Sequence, residues 1–427
     1  MGSRYERLIQ LTERTIARGV ATRIGRLHTE DTQLEGSEIT VDGRRVVDFG
    51  SCSYLAINRR DELKAAATDA VQRFGTSHSS SPMYTSVGLY ADLEERLARI
   101  MGATVAVAPT TTLAHMAALP VLSSPNDLVL IDHNAHASLH LAADVLRGRG
   151  VTVEQLPHND VGALAARLHA AGSNYRRVWY VADGIYSMFG DPAPVRDIAP
   201  LLDKYPHLHL YYDDAHGFGW EGRHGRGYVL SQVDWHERMV IAAGLSKSFG
   251  TNGGVLAFGD PDLARTVSYT GASFMFSGPV PIPSLGASVA SADFHLSPEH
   301  ETRRRAFKEH IVLARRLLLE RGLPVADTSE TPIWFVKVGN LGDVLDLVRD
   351  LMDDGYYVNP AGYPAVAMGD AGIRFTQTLH HSEAQLRGLV DAIVKRIPAS
   401  AGELTIDLRS GEPVATRHDK PVAPIRT

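Results

Sequence analysis

The stretch AAGLSKSFGTNGG, residues 242–254, decides how this chain is read. Lys247 sits there in a turn of small residues and glycines, just after the apolar run 239–243. Upstream, residues 208–216 read LHLYYDDAH, an apolar strand ending in two acids and a histidine. Taken alone, a lysine in a Ser/Gly turn is usually a solvated loop residue. An acid pair at a strand end is more often a cap or turn former. A lysine and a strand-end acid in this order, however, suggest a pyridoxal phosphate (PLP) enzyme. The lysine holds the aldehyde as a Schiff base, and the acid keeps the pyridine nitrogen protonated so that the ring draws electrons.

Outward from that stretch, strand-like and helix-like runs alternate between residues 93 and 259. The pattern predicts strands at 104–109, 128–132, 178–183, 208–213, 239–243 and 254–258. Helical patterns fall at 90–100, 138–146, 161–171 and 195–204. Short apolar strands alternating with helices argue for an α/β fold with a mostly parallel central sheet covered on both faces. Ligands in such sheets bind beyond the carboxyl ends of the strands, where Asp213 and Lys247 fall. After the Pro-rich patch at 279–283 come a helix at 298–321, strands at 333–338 and 372–378, and helices at 342–354 and 382–397. The expected division is an N-terminal helix and arm at 1–60, a large PLP-binding domain at 61–295, a smaller α+β domain at 296–397, and a polar tail at 398–427.

Composition narrows the partners. The chain has 427 residues, 44% of them hydrophobic and 22% charged, as in a globular protein with a large core. A net charge of −6 offers no general attraction for nucleic acid or anionic membrane. The run Arg303–Arg305 reads as the solvated face of a helix. Cys52 is the only cysteine, so neither an intrachain disulfide nor a cysteine-rich metal site can form. The N-terminus is charged and amphipathic, without the apolar core of a signal peptide, and no apolar run approaches the ~20 residues of a membrane span. A cytoplasmic protein is expected.

Four motifs carry a family resemblance: HAS at 136–138, DGIYSMFGD at 183–191, DDAHGFGWEGRHGRG at 213–227, and LSKSFGTNGG at 245–254. The chain resembles the α-oxoamine synthase group of fold-type I PLP enzymes over about residues 47–397. That group includes 8-amino-7-oxononanoate synthase, 2-amino-3-ketobutyrate CoA ligase, 5-aminolaevulinate synthase and serine palmitoyltransferase. The resemblance implies that Lys247 forms the Schiff base and, when free, abstracts the Cα proton of the amino acid. It implies that Asp213, rather than its neighbour Asp214, pairs with the pyridine nitrogen. His136 stacks on the ring, while His216 and Ser187 lie near the edge bearing the ring hydroxyl.

The phosphate needs donors at a helix N-terminus, and Thr110–Thr112 ahead of LAHMAAL fit that need, with the amides of Thr111 and Thr112 as donors. Ser246 and Ser248 could add hydroxyls. The resemblance assigns Ser277 to a phosphate contact from a neighbouring subunit, which implies a homodimer with shared sites. It assigns Arg374 to the substrate carboxylate, where a planar guanidinium suits bidentate binding.

Three features depart from the family pattern. SCSYLAI at 51–57 puts Cys52, read as a small buried filler, where an asparagine is usual. A serine-rich stretch at 76–82 replaces a GSGGSR segment, and Gly244 stands three residues before the lysine in place of a threonine. The implied reaction joins an α-amino acid to an acyl thioester, carried on CoA or a carrier protein, with loss of carbon dioxide to give an α-aminoketone. An aminotransferase on the same scaffold is the alternative.

Overall fold

The computed structural model describes residues 4–402 and the strand pair Thr405–Ile406 and Pro413–Val414. The rest of the expected polar tail lies outside the described residues. Near the N-terminus, β1 (Glu38–Val41) and β2 (Arg44–Asp48) form an antiparallel hairpin. Its two loop residues, Asp42 and Gly43, both have positive φ, as a primed hairpin turn requires.

Two compact units make up the chain, and residues 52–187 with 191–309 form the larger. Its sheet contains β3 (Thr104–Ala108), β4 (Leu128–Asp132), β5 (Thr152–Leu156), β6 (Val178–Asp183), β7 (Leu208–Asp213), β8 (Met239–Gly244) and β9 (Gly254–Phe258). The strand order is β3-β9-β8-β7-β6-β4-β5. Strands β5, β4, β6, β7 and β8 run parallel, while β9 is antiparallel to both β8 and β3.

Strand parity accounts for the two-sided core. Leu210, Tyr212, Ile241 and Ala243 pack into one apolar cluster. Tyr211, Val240 and Ala242 pack into another. Successive residues point to opposite faces, and helices cover both, so the strands read as unbroken apolar runs.

The smaller unit joins residues 1–51, 188–190 and 310–427. It carries β10 (Ile333–Gly339), β11 (Tyr356–Tyr357), β12 (Asn359–Ala361) and β13 (Ala371–Thr376). Strands β10, β13 and β12 form one antiparallel sheet. Strand β11 pairs in parallel with β2, which completes a sheet begun by the N-terminal hairpin.

Four sequence expectations require correction. Strand β5 escaped because TVEQL mixes polar and apolar residues and is mostly half-buried at the sheet edge. The helix expected at 195–204 is two short ones, Val195–Ile198 and Leu201–Lys204, broken at Pro200, whose ring and missing N–H oppose continuation. The Pro-rich patch opens the helix Ile282–Leu296, since proline is tolerated in a first turn. Arg303 is half-buried rather than solvated, and its guanidinium donates to the carbonyls of Leu55 (2.5 Å) and Ala56 (3.2 Å). Among the described residues, no helix is long and apolar enough to cross a membrane.

Candidate active site

A cleft in the larger unit is lined by Thr111, Thr112, His136, Ser138, Asp183, Ile185, Asp213, Ala215, His216 and Lys247. Lys247 lies in the turn between β8 and antiparallel β9. That turn is held by hydrogen bonds from Gly250 N to Lys247 O (3.0 Å), Thr251 N to Leu245 O (2.9 Å) and Leu245 N to Gly253 O (3.0 Å). Among the described residues the Lys247 amine makes no ion pair.

Asp213 ends β7 beside Asp183, its register partner at the end of β6. Its Oδ1 accepts from Ala215 N (3.0 Å) and its Oδ2 from His115 Nε2 (2.9 Å). Burial pushes the Asp213 pKa up, but the charge and hydrogen bond of His115, with Lys247 and His136 nearby, outweigh it and hold it well below the usual carboxylate range. Asp183 goes the other way: burial and the charge of Asp213 raise its pKa well above that range. The two neighbouring acids are thus shifted in opposite directions, the ionised form favoured at Asp213 and the protonated form at Asp183.

Pleating separates Asp213 from its neighbour. Asp214 is fully buried beneath Gly184, Gly217 and Gly227, where added Cβ atoms would stand 2.6, 2.2 and 2.3 Å from its carboxylate oxygens. Its Oδ2 accepts from Val229 N (2.9 Å), and burial raises its pKa far above normal. Asp214 braces a loop; Asp213 faces the cleft.

His136 caps the helix Ala137–Gly148 through its own ring. Its Nδ1 accepts from Ser138 Oγ (2.7 Å) and Ser138 N (3.3 Å), which leaves the ring proton on Nε2. Burial, reinforced by Lys247 and against the pull of Asp213, lowers its pKa and favours the neutral ring, which lines the cleft. The ring of His216 is anchored by Tyr54, whose hydroxyl lies 2.7 Å from its Nδ1.

At another wall, Thr110 caps the helix Thr111–Leu122 by accepting from Leu113 N (3.1 Å). The first-turn amides of Thr111 and Thr112 have no intrahelical acceptor and suit an anion. Gly254 lets this terminus approach β9: a Cβ there would stand 2.6 Å from Thr111 N.

These residues fit PLP. The cleft offers an amine, an acid whose ionised form is favoured, an imidazole and a helix N-terminus. Of the residues expected from sequence, it gathers Lys247, Asp213, His136, His216, Thr111 and Thr112. Ser187, Ser246 and Ser277 are not among the lining residues, and Ser246 is exposed. Ser248 is buried. Arg374 belongs to the smaller unit, half-buried on β13 opposite Phe335 and Asn359. Cys52 is half-buried, not the fully buried filler expected. Sequence reasoning missed Asp183 and His115. Asp183 was detectable, being a second strand-end acid on a neighbouring strand.

The family pattern for aminotransferase class I and II matches residues 44–393. The chain belongs to this family. An 8-amino-7-oxononanoate synthase from Geobacter sulfurreducens is 33% identical over 396 residues, covering 91% of this chain and 96% of that one. A serine palmitoyltransferase from Bacteriovorax stolpii is 31% identical, covering 85% of each chain. Among solved structures, serine palmitoyltransferase from S. paucimobilis with bound PLP-myriocin aldimine superposes with a TM-score of 0.83 at 21% identity, over 92% of this chain and 98% of that one. The 8-amino-7-oxononanoate synthase of Francisella tularensis gives 0.69 at 19% identity, over 82% and 97%. Within the aminotransferase class I and II family, the chain is an α-oxoamine synthase-type PLP enzyme.

Proposed function

We propose that the chain condenses an α-amino acid with an acyl thioester, releasing carbon dioxide and free thiol and forming an α-aminoketone. The observation that carries this reading is the convergence of Lys247, Asp213 and His136 on one cleft at the carboxyl end of a parallel sheet. PLP, when bound, supplies an electron sink that stabilises negative charge at Cα. Lys247 would hold the cofactor's aldehyde, and its amine, when free, would take the Cα proton. Asp213, whose ionised form is favoured, would meet the ring nitrogen and hold a proton there. His136 would pack against the cofactor ring. The amides of Thr111 and Thr112 bind the phosphate. His216 and Ser187 serve the ring hydroxyl edge, Ser246 assists at the phosphate, and Arg374 binds the substrate carboxylate.

The active form we infer is a homodimer, with Ser277 reaching the phosphate of the partner's site. Phe276 and Tyr84, each 81% exposed, and Tyr269, 62% exposed, lie on the larger unit as large apolar side chains suited to a covered face.

The test offers the PLP-loaded protein a panel of amino acids, with and without a series of acyl-CoAs. Thiol and carbon dioxide released in equal amounts are expected with one amino acid class. Conversion of the amino acid to its keto acid without thiol would establish transamination instead. Lys247→Ala is expected to lose the visible absorption band of lysine-bound PLP, and retention of that band would remove the lysine assignment.

A further inference from the structure

His115 took no part in the sequence reading, yet it is completely buried with both ring nitrogens engaged. Nε2 donates to Asp213 Oδ2 at 2.9 Å, and Nδ1 lies 2.9 Å from the Tyr211 hydroxyl. The arrangement follows from two periodicities. Tyr211 and Asp213 are two apart on β7 and point to the same face of the sheet. The helix Thr111–Leu122 packs on that face, placing Ala114 and Ala118 in the same apolar cluster as Tyr211. His115 is four residues from Thr111, so one helical turn, a rise of about 6 Å, separates it from the anion-binding end.

We propose that His115, braced by Tyr211, is a positioning residue that holds the Asp213 carboxylate against the pyridine nitrogen, so that one helix serves both ends of the cofactor. Its N-terminal amides take the phosphate, and its second turn orients the acid that meets the ring nitrogen. The inference rests on the assignment of Asp213 to that nitrogen. A carboxylate held only by Ala215 N would be free to turn about its χ2 bond. A donor on Oδ2 removes that freedom and offsets the burial that otherwise favours a protonated acid. The other charged and titratable groups around Asp213 are Lys247 from the β8–β9 turn, His136 from the start of the helix Ala137–Gly148, Asp183 from β6, its chain neighbour Asp214, and His216 across the cleft.

The test is 15N NMR of holoenzyme reconstituted with PLP labelled at the ring nitrogen, followed across pH. In the unsubstituted protein the nitrogen is expected to stay protonated throughout the stable range. In His115→Leu it should lose its proton at least about one pH unit earlier, with PLP retention weakened about ten-fold. His115→Gln, whose amide can donate from a place near that of Nε2, should restore both. Tyr211→Phe keeps the imidazole but frees Nδ1, and should give a smaller shift in the same direction. Tyr211→Phe decides the matter if His115→Leu does not fold. An unchanged nitrogen titration in Tyr211→Phe and in any folded His115→Leu, at full PLP occupancy, would overturn the proposal. An unprotonated ring nitrogen in the unsubstituted holoenzyme would instead remove the Asp213 assignment beneath it, and a protein that takes up no PLP would remove the cofactor site.

Discussion

A side chain added at Gly244 would place its Cβ 3.1 Å from Thr111 Oγ1 and 3.3 Å from Ala215 Cβ. The Thr111 hydroxyl, which reaches toward Ala243 O at 3.4 Å, occupies the space that position 244 vacates. Glycine at 244 thus leaves room for the Thr111 hydroxyl. Gly244→Thr alone should cost about 1–3 kcal/mol by overpacking. Combining it with Thr111→Ala should return most of that, a coupling read from denaturant melts as a double-mutant cycle. At this scale the sequence was legible where one strand sufficed: parity alone separates Tyr211 and Asp213 from Tyr212 and Asp214. His115 was not, because nothing in LAHMAAL says which helix will cover that face.

Elements are tied together by buried polar groups. His158 follows β5 and sits between two acids, its Nδ1 2.9 Å from Asp132 at the end of β4 and its Nε2 2.6 Å from Asp191. Burial lowers its pKa, but the hydrogen bonds and charges of Asp132 and Asp191 prevail and raise it to about 9. A folded pKa above the ordinary 6.5 stabilises the protein fully below about pH 6.5 and is lost as pH rises through about 9. The loss is on the order of 3 kcal/mol. His158→Gln should therefore flatten the fall in melting temperature between pH 6.5 and 9. Arg303 makes another tie, and Arg303→Ala should cost about 1–3 kcal/mol by stripping the Leu55 and Ala56 carbonyls of their donor, with Arg303→Lys recovering only part. The inner parallel strands and the long helix from Pro298 were legible from their residue patterns, whereas edge strand β5 and the helix Ile282–Leu296 were not. These ties were not, since each joins short polar stretches far apart in the chain.

For the whole molecule, the dimer proposal makes Phe276 the side chain to change. Phe276→Asp should shift the protein from dimer toward monomer in light scattering and lower PLP retention, because Ser277 adjoins it. An unaltered dimer would place the interface elsewhere. The sequence expectation treated the arm at 1–60 as a segment apart. Through β11, the sheet that β1 and β2 begin ties residues 1–51 into the unit that holds residues 310–427. Only pairing at long range shows this, and no local pattern encodes it.

That pairing also sets a timetable. Strand β2 leaves the ribosome about 300 residues before β11, its parallel partner, is made. Throughout that interval the N-terminal hairpin has an open edge while the whole central sheet, β3 to β9, is synthesised and can close. A sheet that finishes after the central one thus contains some of the first residues made. A chain released early would carry a complete PLP cleft and an unpaired strand, and quality control in the cell would meet that strand as a sticky end.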